Sequence, residues 1–277
     1  MTDRIETFGH SRIQHGKLND RIYLMKLARE DLPTLPERLA ELAGAEGYSK
    51  IFAKVPAWAE DRFRELGYRV EARVPGFFQG ETDAVFLGLF LDPARARVSD
   101  AGQVQAVLRE ALRREPQPAT LPDGLDCRPC LPADAPAMAG LYRQVFETYP
   151  FPIHDPAYLR RTMETHILYF GVWTGGELVG LSSCETDGDA RAVEMTDFAV
   201  RPQWRGKNLS VALLDVMERQ MRRQEFVTAY TIARSVSFGM NIAFARAGYA
   251  FAGMLVNNTN ICGRFESMNV WHKRIGS

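Results

Sequence analysis

The chain has 277 residues, room for two domains or one large one. Its 46% hydrophobic content is ordinary for a packed globular protein, and 34 Lys+Arg against 34 Asp+Glu give no net charge, which argues against nucleic acid and anionic membrane as partners. No apolar run approaches the ~20 residues of a membrane span, and the opening Met1-Thr2-Asp3-Arg4-Ile5-Glu6 is not a signal peptide, so a cytoplasmic protein is expected.

Residues 21–27 read as a strand, rich in β-branched and aromatic side chains. Residues 31–42 read as a helix, with Asp31 as N-cap and Gly44 near its end. A strand over 50–55, a helix over 57–66 closed by Gly67, and strands over 68–74 and 84–91 follow. A helix over 103–114 leads into the Pro-rich stretch 115–124, which reads as a linker. The expected domains are therefore 1–114 and 125–277.

The second unit starts with a short strand at 125–128 and a helical region over 132–149, with Asp134 near its start. A short helix over 158–164 comes next, then strands over 166–174, 177–185 and 192–200. Gly175-Gly176 supplies the first hairpin turn. A strand over 226–233, a helix over 238–247 ended by Gly248, and strands over 249–256 and 266–272 complete the unit. The order strand, helix, Gly-Tyr, strand, bend, strand at 50–91 repeats at 226–272, a degenerate internal repeat. The first copy has no basic glycine loop, so it is expected to support the second unit or wall its substrate site.

Cysteines 127, 130, 184 and 262 include one C-x-x-C, without the further ligands that zinc needs, and the five histidines are scattered. No metal is expected.

The informative stretch is Gln203-Trp-Arg205-Gly206-Lys207-Asn208-Leu209-Ser210. It joins the strand at 195–200 to an amphipathic helix with apolar residues at 209, 213, 216, 217 and 221. Asp215, Glu218, Arg219, Arg222 and Arg223 are assigned to the polar face. Such a strand–loop–helix aims backbone N–H groups at one point, at the positive end of a helix dipole, and Arg205 and Lys207 add charge. The plain alternative is a solvated turn.

This loop and the element order of 125–277 resemble the GNAT superfamily of acetyl-CoA-dependent N-acetyltransferases. The match holds at Gln203 and Gly206 and departs at Asn208, where the family carries Gly or Ala; Asn tolerates the left-handed geometry. The segments 13–23, 205–210, 239–244, 257–263 and 268–273 resemble the β-lysine Nε-acetyltransferase family in particular. The resemblance implies an α/β (α+β) protein: a catalytic GNAT fold with a mixed, mostly antiparallel sheet flanked by helices, plus a smaller GNAT-like half domain. It also implies acetyl-CoA as cosubstrate, a small amine as partner, and Nε-acetyl-β-lysine, a compatible solute, as product. Another amine, or a coenzyme-binding sensor without turnover, is the alternative. The oligomeric state stays open, a homodimer included.

An ammonium must lose a proton before it attacks a thioester. Glu194 and Asp197 are the carboxylates of strand 192–200, and in a regular strand they face opposite sides. Glu194, six residues before Val200, is assigned as base; the alternative is a salt-bridged surface Glu. The resemblance places an oxyanion-stabilising N–H among Phe198, Ala199 and Val200, splayed from strand 226–233. It matches Asn241 to a coenzyme contact. Arg246 could reach a phosphate, although an exposed helix Arg is the simpler reading. Phe244 stands where many relatives carry a proton-donating Tyr, so either another group such as Tyr142, Tyr149, Tyr230 or Ser237 is the acid, or the thiolate leaves unprotonated. The polar bend Asn257-Asn258-Thr259-Asn260, with Glu266 and Asn269, is assigned to the amine substrate; an Asx-stabilised turn is the alternative. Arg143, Tyr149 and His154 are weaker candidates, with Phe146 or Phe151 as an apolar wall.

Overall fold

A computed structural model describes residues 3–147, 149 and 151–277. Met1 and Thr2, part of the opening read for a signal peptide, lie outside the described residues, as do Thr148, inside the helical reading over 132–149, and Pro150.

The first unit runs β1 (Arg4–Phe8), β2 (Ser11–Gly16), β3 (Arg21–Lys26), α1 (Leu35–Glu46), β4 (Lys50–Pro56), α2 (Glu60–Arg64), β5 (Arg69–Phe78) and β6 (Thr82–Phe90). Helix α3 (Ala101–Leu112) follows. The second unit runs β7 (Asp126–Pro129), α4 (Ala135–Val145), α5 (Pro156–Met163), β8 (Ile167–Thr174), β9 (Glu177–Asp187), β10 (Ala192–Val200), α6 (Leu209–Arg223), β11 (Thr228–Arg234), α7 (Phe238–Arg246), β12 (Ala250–Ile261) and β13 (Arg264–Arg274).

All thirteen strands form one sheet, in the order β1-β2-β3-β4-β6-β5-β12-β13-β11-β10-β9-β8-β7. The order is a near palindrome. β3 pairs parallel to β4 and β10 parallel to β11, each across an intervening helix, and every other neighbour is antiparallel. The register repeats as well: Tyr23 opposes Phe52 as Glu194 opposes Tyr230. The internal repeat thus spans all of β1–β6 and β8–β13, longer than the sequence pattern showed. The copies meet where Gly253 of β12 opposes Ala72 of β5. Gly253 has φ 141°, and a Cβ there would run into the Glu71 carbonyl and the Ala72 backbone, so glycine is needed at the seam.

Helices α1 and α2 cover one face of the first copy through Leu35, Leu39 and Phe63, all fully buried. Helices α6 and α7 do the same in the second through Leu213, Met217 and Phe244. Ala111 and Leu108 of α3 join this second core, so the helix assigned to the first unit packs on the second. The opposite face curls on itself. Phe77 of β5 and Tyr230 of β11 stand three strands apart, about 14 Å in a flat sheet, yet their ring centroids are 5.0 Å apart. Lys26 of β3 reaches Asp189, beside β10, at 2.5 Å. Helices α4 and α5 close the same face over β8–β10 through Tyr142, Leu159 and Ile167.

Several local readings change. Asp31 does not cap a helix; its carboxylate accepts from the His10 amide and the Ser11 hydroxyl, and α1 starts at Leu35 and ends at Gly47, not Gly44. The Asn-rich bend is not a turn: residues 257–260 lie in β12, bulged between Leu255 and Thr259, and the chain reverses at Cys262-Gly263. Glu218 is buried on α6 and receives the Lys273 ammonium at 2.6 Å, off the assigned polar face.

Candidate active site

Three features of the second unit lie along β10. The first is a cavity of about 610 Å³ between the starts of α6 and α7. The loop before α6 is exposed at Gln203, Arg205, Gly206, Lys207 and Asn208. Gly206 (φ 78°) and Asn208 (φ 59°) are left-handed, as expected for Asn208. The first bonds into the helix run from Val211 and Ala212 to the Asn208 carbonyl. The amides of Gly206, Lys207, Asn208, Leu209 and Ser210 therefore precede the helical ladder, as amides at a helix start that could hold an anion do.

Phe198, Val200, Arg205, Gly206, Asn208, Leu209 and Ser210 line the cavity; Ala199, Gln203, Lys207 and Asn241 do not. Ala199 is buried, and Lys207 lies over the Trp204 ring with its Nζ 4.2 Å from the centroid. Arg246 departs from its reading as an exposed helix residue. It lines the cavity and donates to Asn208 Oδ1 at 2.9 Å, while its Nε has no partner.

Asn241 needs a correction. It is fully buried and its amide is saturated. Nδ2 donates to the carbonyls of Arg234 (3.0 Å) and Ser237 (2.7 Å), and Oδ1 accepts from Asn269 (2.8 Å) and Trp271 (2.9 Å). It braces the β11–α7 turn and does not line this cavity. Ser237 caps α7, its hydroxyl accepting from the Met240 amide.

The second feature is the parting of β10 and β11. They pair only at Ala192–Thr228, Val193–Ala229 and Glu194–Tyr230. Beyond Glu194 the β11-facing side of β10 has no ladder partner, the splay expected at residues 198–200.

The third is a cluster of carboxylates. The β10–β9 register slips between Thr196 and Ala199, and Asp197 takes a left-handed φ of 56°. This bulge overturns the alternation argument. Asp197 comes round to the Glu194 side, where its carboxylate accepts from Ser183 Oγ at 2.6 Å and from the Tyr149 hydroxyl. Glu185, directly across from Glu194 on β9, is the third acid. All three are half-buried.

Burial raises all three carboxyls. Glu194 reaches about 7, held down by Lys54 and a hydrogen bond from Tyr230 and pushed up by Asp197. Glu185 reaches about 8, with Glu194 and Asp197 adding like-charge repulsion. Asp197 rises by burial, opposed by its bonds from Ser183 and Tyr149. Acids this close share their protons as a set. Tyr23 and Lys54 come from the first copy, which therefore reaches the cluster.

The substrate assignment at β12 and β13 does not fit this geometry. Asn257 Nδ2 donates to the carbonyls of Arg95 and Arg97, and the Asn258 carbonyl accepts from Arg21. Asn260 bonds Asn19 and Leu18. Glu266 holds Arg234 by two bonds of 2.7 Å, and Asn269 donates to Asn241. The first three join the two units, because the bulged strand faces the first copy and meets its carbonyls, the Asn19 side chain and the Arg21 guanidinium. Asn257 and Glu266 do line a separate cavity of about 490 Å³, with Arg95 and Asp20. Arg143 donates to the His154 carbonyl at 2.6 Å, and Phe146 lines the first cavity.

Among the described residues no helix is long and apolar enough to cross a membrane, and no group of three or more His, Cys, Asp or Glu is arranged to hold a metal.

Residues 137–249 match the Acetyltransferase (GNAT) family, and the protein is a GNAT N-acetyltransferase. The chain is 38% identical over 272 residues to the β-lysine N(6)-acetyltransferase of Methanococcus maripaludis, covering 98% of each chain. It is 32% identical over 255 residues to that of Methanosarcina mazei, covering 84% of this chain and 94% of the relative. The N-acetyltransferase YodP of Bacillus subtilis is 28% identical over 268 residues, covering 95% of each. The chain belongs to the β-lysine N(6)-acetyltransferase family. A spermidine N-acetyltransferase from Vibrio cholerae, solved with CoA and spermine, superposes with a TM-score of 0.48 at 16% identity, covering 55% of this chain and 95% of that one.

Proposed function

We propose that this enzyme transfers the acetyl group of acetyl-CoA to the terminal amine of β-lysine, giving Nε-acetyl-β-lysine, by direct attack in a ternary complex. The observation that carries the reading is Glu194: a carboxyl raised to about 7, at the last paired residue before β10 and β11 part. A base of that strength is half ionised at neutral pH and can take a proton from a bound ammonium. Acetyl-CoA supplies the activated acyl group. The amides of 206–210 and Arg246 fit its pyrophosphate, and the unpaired main chain of 198–200 fits the oxygen that gains charge during attack.

Direct attack suits the thiols. Cys184 is buried in the core beneath α6, and burial pushes it far above the usual thiol range. Burial also raises Cys127 to about 12. Neither is primed as a nucleophile. Two cationic amines and one carboxylate make β-lysine a match for a cluster of three acids and one lysine. The product has one cationic amine fewer and is a net-neutral zwitterion, suited to accumulation as a compatible solute under salt stress.

Thiol release from acetyl-CoA, measured with β-lysine, α-lysine, spermidine and a lysine peptide, tests this reading, with the acetylated nitrogen assigned by NMR. β-Lysine is expected to give the highest kcat/KM and acetylation at N6, with intersecting initial-velocity lines. Equal or better turnover of another amine, or none at all, overturns it.

A further inference from the structure

The chain has six lysines. Lys26 pairs with Asp189, Lys50 with Glu71 and Lys273 with Glu218. Lys17 donates to backbone carbonyls, and the exposed Lys207 covers Trp204. Lys54 differs from all of these. It is half-buried, and among the described residues it has no hydrogen bond and no carboxylate within 4.0 Å. Its Nζ rests 5.0 Å from the Phe77 ring centroid and 5.9 Å from that of Tyr230, whose hydroxyl bonds Glu194.

Lys50, on the same face of β4, shows how this fold treats a lysine that is purely structural. It is fully buried, reaches Glu71 at 2.8 Å and donates to the Val256 carbonyl at 2.7 Å. A half-buried ammonium without such partners is costly unless an anion arrives. Lys54 is also the cation whose field reaches both Glu185 and Glu194. A β-amino acid sets its carboxylate two carbons from its ammonium, so its site needs a cation beside an acid.

We propose that Lys54 of the first copy binds the substrate carboxylate, making the non-catalytic copy the part that selects an amino acid over a plain diamine. This rests on the proposed β-lysine activity. Lys54 is a specificity residue, and the transferred acetyl group never meets it.

The test compares wild type, Lys54→Gln and Lys54→Arg on β-lysine and on β-lysine carboxamide, which lacks only the anionic charge. Removing a charge-assisted bond of this kind is expected to raise KM for β-lysine by about 10-fold or more. kcat should change less and Lys54→Arg should restore most of the loss; because Lys54 also holds the Glu194 carboxyl down, both substrates share any loss in kcat, and the rise in KM should be about 10-fold smaller for the carboxamide. Thermal shift of the unreacted proteins with each compound gives a readout independent of turnover and reports folding. Equal rises in KM on both substrates, or a wild type indifferent to the carboxylate, overturn the assignment of Lys54 and leave the β-lysine activity standing. A wild type inert towards β-lysine overturns both.

Discussion

Replacing Glu194 by Gln removes the assigned base and a buried charge together, so activity and stability are expected to move in opposite directions. The carboxyl sits at about 7 in the folded protein against an ordinary 4.5. Between those values the folded protein keeps a proton that the unfolded chain has released, so this group lowers stability as pH rises from 4.5 to 7, and the penalty persists above. At about 1.36 kcal/mol per pH unit the ceiling is about 3 kcal/mol. Partial exposure brings this to about 1 kcal/mol. Glu194→Gln should therefore melt about 2–4 °C higher than wild type at pH 8 and at the same temperature near pH 4.5. Its kcat/KM should fall by about 10²–10⁴. Wild-type kcat/KM should drop tenfold per pH unit below about 7, a limb the amine cannot supply because it titrates near ~10. The variant should lack that limb. Calorimetry and thiol release over a pH series measure both halves. A variant that keeps the limb, or keeps activity within about threefold, refutes the role of Glu194.

Asn241→Ala leaves the Asn269 and Trp271 donors without a partner in a buried network, while the Arg234 and Ser237 carbonyls keep only their backbone bonds; urea unfolding should show a loss of about 2–4 kcal/mol. Gly206→Ala adds a Cβ that meets nothing within 4 Å, so its cost is the left-handed backbone at φ 78°, about 1–2 kcal/mol. Calorimetric titration should then find coenzyme affinity reduced about tenfold, and an unchanged affinity would show that these amides do not hold the pyrophosphate. Glu71→Ala strands the Lys50 ammonium in the interior and should cost about 3–5 kcal/mol at pH 7. That loss should shrink above pH 8, because Lys50 is already lowered by burial to about 8 and sheds its proton there. Adding Lys50→Met should recover part of it.

The glycine loop was legible because its geometry is local: a short strand, a glycine, an Asn able to turn left-handed and an amphipathic helix all lie within 32 residues. The repeat was legible only from β4 onwards. β1 and β2 are short strands at the sheet edge, and in Arg4–Phe8 polar and apolar residues alternate without a strong apolar stripe. The acid cluster was mostly hidden. Asp197 joins Glu194 through a bulge that alternation cannot foresee. Glu185 is placed by cross-strand register, and Lys54 by the curl of a sheet that returns from about 140 residues away. The asparagines at 257–260 misled because their side chains suit a ligand and an internal seam equally well. Only the neighbouring strand decides which, and a single sequence does not name it.

The joint at Gly253 and Ala72 has one more consequence. On the proposed function, nucleotide capture rests on residues of the second copy alone, whereas amine choice rests on two halves of one sheet meeting at a glycine. A fragment without the first ninety residues would keep the coenzyme grip and lose discrimination, its acids opened to water. Substitutions at the joint, well away from any reacting atom, should then register as altered amine preference before they register as unfolding.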